Sequence, residues 1–238
     1  MSWLDDYERH ARLTPGLLAL APIALVLLGL GLRNAPVVAS IASILTVVGG
    51  PILIAQIVRE RGRRVQADIY RGPTENPTTA LLRLQGSAPS DAVRQRRRRN
   101  VERVIGESLP SLKDEQSDPD HAASEYASVV AELRERTRDH ERFPLVYAEN
   151  RGFGFERNLL GMRPIGIVVA IVAAVLLALA GLAHLAGYAA SIRAFDVVAV
   201  EIVTMGFASF WKFYPSQARV LTAGVIYAEK LLDATASL

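Results

Sequence analysis

Two groups of residues in this chain could carry chemistry. One is a carboxylate, Glu201, inside a mostly apolar run, 195–213, that also holds Asp196 near its start. A carboxylate at mid-membrane depth costs about 3 kcal/mol on insertion scales, so such a group faces protein or water. At 100° per residue, Glu201, Thr204, Ala208 and Lys212 fall on one helical face. If that face lines a central pathway in an oligomer, one Glu201 per subunit makes an acidic ring, and acidic rings favour cations. The plainer reading is that Glu201 is buried against a polar neighbour and lines nothing. The other group is Arg94, Arg96, Arg97, Arg98 and Arg99. Guanidinium groups this close on one helix repel one another and need an anionic counterpart. Solvent or anionic headgroups would serve, at roughly 1 kcal/mol per residue near a charged surface. Phosphate oxygens gripped by guanidinium forks would serve as well. Aromatic residues that could stack bases are missing nearby, so this stretch does not indicate base-specific reading of a single strand.

A third stretch, TRDHERFPLVYAENRGFGFERNLLGMRPIG (137–166), is aromatic, arginine-rich and punctuated by glycine. Read as a connection, it would set Phe143, Tyr147, Phe153 and Phe155 at a membrane interface. A change in the middle of the chain must also pass through it to move the helix that follows. Phe143, Arg151, Phe153, Phe155 and Arg157 are the residues placed to transmit that change. Catalysis is not indicated. The four histidines show no metal-ligand spacing, and neither a nucleophile elbow nor a phosphate-cradling P-loop is present. With no cysteine, a disulfide framework and thiolate-held metals are excluded. No cofactor is expected, and the chain is not expected to be an enzyme.

The elements that must position these residues are helices in two apolar blocks, one near each end of the 238 residues. The most apolar stretch, 164–188, has no ionisable residue except His184. About 20 apolar residues cross a bilayer as a helix, and helices apolar on every face are rarely this long in soluble domains. Residues 15–32 and 35–58 are also uncharged, and only Arg33 and Asn34 separate them. Such a short break predicts a helical hairpin, with Gly49, Gly50 and Pro51 as a kink or hinge in its second helix. No signal-peptide cleavage pattern follows the first run, which is therefore expected to stay in the mature protein. The net charge of +3 comes from arginine. Arg59, Arg61, Arg63 and Arg64 follow the first hairpin, Arg151, Arg157 and Arg163 precede the second, and Lys212 and Arg219 close it. The hairpin tips hold only Arg33 and Arg193. The excess of cations on one side places both termini and the middle region in the cytoplasm.

The expected fold is thus an all-α integral membrane protein with four transmembrane helices as two hairpins. Its parts are a cytoplasmic N-terminus (1–14), hairpin one (15–58), a cytoplasmic helical regulatory region (59–163), hairpin two (164–213) and an amphipathic C-terminal helix (214–238). Within the middle region, 91–106 reads as a basic helix and 108–120 as a polar connection. Residues 122–142 read as a helix that Pro144 ends. Few large apolar residues are available, so only light packing, on itself or on a second copy, is expected there. In the tail, Val220, Leu221, Val225, Ala228, Leu231 and Leu232 share a face, which is expected to pack on the middle region.

The stretches RGPTENPTTALLR (71–83) and LRERTRDHERFPLVYAENRGFGFERNLLGMRPIGI (133–167) resemble small bacterial four-span membrane proteins. Those proteins are encoded beside nucleotidyltransferases of antiphage defence systems, and the membrane effector of the Hailong system is the nearest type. The resemblance covers the layout of the whole chain and is sharp in the two quoted stretches. It implies a bacterial inner-membrane effector that forms a homo-oligomer, a tetramer, surrounded by membrane lipid. It also implies an ion pathway that depolarises the infected cell, gated by an oligonucleotide from the partner nucleotidyltransferase. No catalytic motif of the family carries over. The contrasting expectation is a non-conducting, membrane-anchored scaffold or receptor that recruits a cytosolic partner.

Overall fold

The computed structural model of the chain describes residues 7–31, 35–36, 39–40, 43, 49–71, 75–85, 90–188 and 194–238. Every regular element among them is helical. The helices are α1 (Thr14–Gly29), α2 (Gly50–Ile69), α3 (Pro77–Leu82), α4 (Asp91–Ile105), α5 (Leu112–Ser117), α6 (Pro119–Arg136), α7 (Pro144–Leu185), α8 (Ala194–Phe213) and α9 (Gln217–Ala234). A π-helical segment, Glu8–Leu13, leads directly into α1.

Two helical stretches, Glu8–Gly29 and Pro144–Leu185, are long and apolar enough to cross a membrane. The pair Phe195–Phe213 and Gln217–Ala234, bent by 65°, makes a third if taken as one. α8 carries three charged side chains, Asp196, Glu201 and Lys212, in its 20 residues. Of the expected second span, 37–38, 41–42 and 44–48 lie outside the described residues, as do Arg33, Arg193, Gly72 and Pro73. Gly49 takes φ +86°, a conformation glycine adopts freely, and α2 starts at the next residue. The Gly49–Pro51 feature is therefore a helix start.

The chain divides into two compact units. The first comprises Met1–Gln66 and Gly154–Gln217. Its core gathers Ala19, Val58, Leu159, Met162 and Trp211 from four helices. A second cluster joins Val26 to Ala173 and Leu177, with Val200 packed against it. These two levels make α1 and α7 run one way and α8 the other. On α7, Ala170, Ala173 and Leu177 face inward, while Val168, Ile171, Val172, Val175 and Leu179 are exposed. An exposed face that is apolar over this length matches lipid better than water.

Small residues let these helices touch. A Cβ on Gly161 would lie 2.8 Å from the Arg61 carbonyl carbon and 2.9 Å from the Gly62 nitrogen, so α2 and α7 cross in backbone contact. A Cβ on Gly62 would run into Asn158, and one on Gly154 would sit 2.5 Å from the Tyr7 hydroxyl. Gly166 lies under the indole of Trp211. This changes the reading of 137–166. From Pro144 onward it is helix, continuous with the apolar stretch 164–185. Gly154, Gly161 and Gly166 are contact points, and each partner is remote in sequence.

The second unit comprises Ala67–Phe153 and Ala218–Leu238. Its buried residues include Leu82, Val101, Leu109, Tyr126, Val130 and Leu133, and α9 adds Val220, Ala228, Leu231 and Leu232. The tail helix packs on the middle region as expected, and it supplies apolar surface that the middle region lacks. The core is consequently fuller than its middle-region composition suggests. The polar connection 108–120 contains α5, started by a capping box in which Ser111 and Asp114 satisfy each other's backbone donors. α6 stops at Arg136, and a separate turn precedes α7.

Candidate functional site

On α8, Val197, Thr204 and Trp211 recur every seven residues and are buried. They form the stripe that packs into the first unit. Val200 beside them lies against Gly29, where an added Cβ would come within 2.6 Å of it. Glu201 and Ala208 are half-buried on the flank of this stripe, and Lys212 is exposed. The expected polar face is therefore split. Thr204 points into the bundle, Glu201 and Ala208 lie at the edge, and Lys212 points out. The remaining surface of α8, including Val198, Ile202 and Met205, is apolar and exposed. Glu201 Oε2, Thr204 Oγ1 and Trp211 Nε1 are buried without a hydrogen-bond partner among the described residues. Buried polar atoms are nearly always paired, so three orphans along one helix mark it as unusual.

The arginines of α4 also divide. Arg98 is 7% exposed. It donates to the carbonyls of Leu82 (2.9 Å) and Pro110 (2.7 Å) and to the Tyr126 hydroxyl (2.6 Å). Tyr126 in turn donates to Glu115 Oε1 at 2.7 Å. The Glu115 carboxylate, 1% exposed, also accepts the backbone N–H groups of Leu84 (2.9 Å) and Gln85 (3.2 Å). Burial, and donation to Glu115, push the Tyr126 phenol well above its usual pKa, so it keeps its proton. Arg94 pairs with Asp91 at 2.8 Å. Arg97 reaches Asp233 at 3.3 Å and Glu229 at 3.9 Å, both on α9. Arg94 and Arg97 thus find their anionic partners within the chain, Arg98 is held by two carbonyls and by a phenol that links it to Glu115, and these three are not surface groups. Arg96 and Arg99 are exposed and have no ion-pair partner among the described residues. Arg103, one turn on, continues their row and donates to the Thr235 carbonyl at 2.8 Å.

No family model matches the chain, and no curated protein or solved structure is significantly similar to it.

The five residues read as transmitting a change all lie on or beside α7. Phe143 and Phe153 are buried in the second unit, where Phe153 stacks on Tyr227 with ring centroids 6.2 Å apart. Both are core residues there, not members of an interface belt. Arg151, half-buried, lies between them in the chain and belongs to the same unit. Phe155 packs against the Ala19 and Trp211 cluster of the first unit, and Arg157 donates to the Gln66 side chain. One helix therefore carries the core aromatics of both units.

Sequence reasoning passed over Asn158, Gly62 and Glu115. Asn158 is fully buried and its amide donates to the Ala11 carbonyl at 2.6 Å. Ala11 lies in the π-helical segment, whose wider hydrogen-bond register leaves backbone groups for outside partners. For α4 a signal existed. Arg94, Arg97, Arg98 and Val101 follow the i, i+3, i+4, i+7 spacing of a buried face, but their charge masks it.

Proposed function

We propose that the protein is an oligomeric membrane effector of antiphage defence that acts as a gated ion channel. In this reading four helices span the bacterial inner membrane as two hairpins, with both termini and the second unit in the cytoplasm. Four copies surround the pathway, and the flank of α8 holding Glu201 and Ala208 lines it. The observation that carries the proposal is Glu201, a half-buried carboxylate with an unpaired buried oxygen in the middle of a helix whose other charges, Asp196 and Lys212, lie at its ends. A neighbouring subunit or a water-filled pathway would complete it. The resemblance of residues 71–83 and 133–167 supplies the defence setting and the partner nucleotidyltransferase.

The test is ion flux from liposomes holding the purified protein. Wild-type protein is expected to conduct, and Glu201→Gln to lower cation flux at least tenfold while leaving the oligomer intact. Unaltered flux in that variant would remove Glu201 from the pathway. Absence of flux in the wild type, with or without oligonucleotide, would favour a non-conducting scaffold.

The controlling oligonucleotide is assigned to the exposed row of α4. Arg96→Ala with Arg99→Ala should weaken binding of a short DNA oligomer about tenfold and flatten its salt dependence by roughly two phosphate contacts. Fluorescence anisotropy at two salt concentrations measures both quantities. Equal affinity in the variant and the wild type would move the binding site off α4.

A further inference from the structure

The C-terminal end of α9 is electronegative, and it is seated on cations. A helix C-terminus presents the carbonyls of its last turn and the negative end of the macrodipole. Here the last two turns also carry Glu229 and Asp233, both half-exposed. Arg97 of α4 reaches Asp233 at 3.3 Å and Glu229 at 3.9 Å, and Arg103 of α4 donates to the Thr235 carbonyl at 2.8 Å. From the turn before α7, Arg142 donates to the Ser237 carbonyl at 3.3 Å. All of these residues belong to the second unit.

The attachment of α9 changes along its length. Tyr227, Ala228, Leu231 and Leu232 hold the helix in the core through apolar contacts. From Asp233 onward the chain is held by the polar contacts just described, and Asp233, Ala236 and Ser237 are exposed. Half-exposed ion pairs are weak, so a stronger anion can replace them. This last turn can therefore leave α4 while Leu231 and Leu232 keep the core closed. The arginines beneath it belong to the helix that carries the exposed Arg96 and Arg99, and Arg103 follows Arg99 by four residues in the same row. A nucleic-acid backbone offers one phosphate after another, and guanidinium forks grip phosphate oxygens in pairs. The phosphates and the end of α9 are rival anions for one set of cations.

We propose that the end of α9 is a built-in competitor for the oligonucleotide site of α4. Phosphates held by Arg96 and Arg99 extend along the row by taking Arg103 from the Thr235 carbonyl and Arg97 from Asp233 and Glu229. The turn from Asp233 onward lifts as they do so. Arg97 is only 8% exposed, so a phosphate reaches it as the acids withdraw. This inference rests on the assignment of the oligonucleotide to α4. To that assignment it adds two binding residues and a movement that reports occupancy. Ion conduction has no part in it.

The test uses a labelled short single-stranded DNA oligomer and the full chain in detergent. Glu229→Gln with Asp233→Asn keeps the shape of α9 and removes the rival charges. It should bind the oligomer about fivefold tighter by anisotropy, with a salt dependence steeper by roughly one phosphate contact. Glu125→Gln with Glu132→Gln removes the same charge from α6 and should leave affinity unchanged. The chain has no cysteine, so Thr235→Cys, at a buried position, reports the movement directly. Saturating DNA should speed its reaction with a maleimide severalfold, and should fail to do so once Arg96 and Arg99 are alanine. No binding by any form, or affinity indifferent to Arg96→Ala with Arg99→Ala, would refute the α4 assignment and the competition with it. DNA bound through Arg96 and Arg99 would overturn the competition alone under any of three results: the α9 acid variant binds no tighter than the wild type, the α6 acid variant tightens binding equally, or labelling of Thr235→Cys is unchanged by DNA.

Discussion

Replacing Arg98 with alanine is expected to destabilise the second unit by about 3–5 kcal/mol, the usual cost of removing one member of a buried ionic network. The guanidinium serves three acceptors from three segments, the Leu82 and Pro110 carbonyls and the Tyr126 hydroxyl. Alanine leaves both carbonyls unpaired, strips Tyr126 of a donor, and leaves the Glu115 charge without the cation two bonds away through the phenol. Whole domains are stable by only about 5–15 kcal/mol, so a loss of this size should register as partial unfolding at physiological temperature. Tyr126→Phe gives the comparison. It removes one link and keeps the ring in the core, so a loss of about 1–3 kcal/mol is expected. Chemical denaturation of the full chain in detergent, followed by circular dichroism, measures both. An Arg98→Ala protein as stable as the wild type would mean that Arg98 is a surface arginine and that the buried network does not exist.

Gly161→Leu should have a comparable effect on the first unit. The Cβ alone would meet the backbone of Arg61 and Gly62 within 3 Å, and backbone cannot rotate aside as a side chain can. The two helices must separate, which also breaks the contact of Asn158 with Gly62. Overpacking of this kind costs about 1–3 kcal/mol even where side chains can yield, so the larger side chain against rigid backbone should exceed that range. Gly152 is the internal control. It is helical, exposed, and has open space where a Cβ would go. Gly152→Ala should therefore stabilise by up to about 1 kcal/mol through helix propensity. Yield and monodispersity of folded protein in detergent should fall for Gly161→Leu and hold for Gly152→Ala. Equal behaviour of the two glycine variants would refute the backbone crossing.

Those two glycines show what could be read from the residues alone and what could not. Uninterrupted apolar stretches and the amphipathic tail announce their helices through local pattern, and α4, α6 and α9 lie where periodicity places them. The stretch 137–166 does not announce itself, because glycine near Pro144 reads as a break. Gly154, Gly161 and Gly166 are tolerated in α7 because Tyr7, the Arg61 backbone and Trp211 occupy the space a side chain would take, and none of these neighbours is local. The α4 arginines mislead for a different reason. Charge argues for solvent until the polar groups that satisfy it are known. Glu115 lies beyond the next turn and Asp233 at the far end of the chain. Only Arg96 and Arg99 keep the exposed role that the cluster suggested. Of the α8 face, Glu201 keeps its position at the edge of the packed stripe, while Thr204 is claimed by the bundle.

The central claim is that the apolar helices lie in a bilayer with the arginine-rich unit on the cytoplasmic side. The chain contains no cysteine, so single cysteines can report on it without background. Tyr188, just past α7, and Ser124, on the surface of α6, are both exposed. In bacterial spheroplasts a membrane-impermeant maleimide should label Tyr188→Cys at once and Ser124→Cys only after lysis. Labelling of Ser124→Cys in intact spheroplasts, or recovery of the protein in the soluble fraction without detergent, would contradict the account.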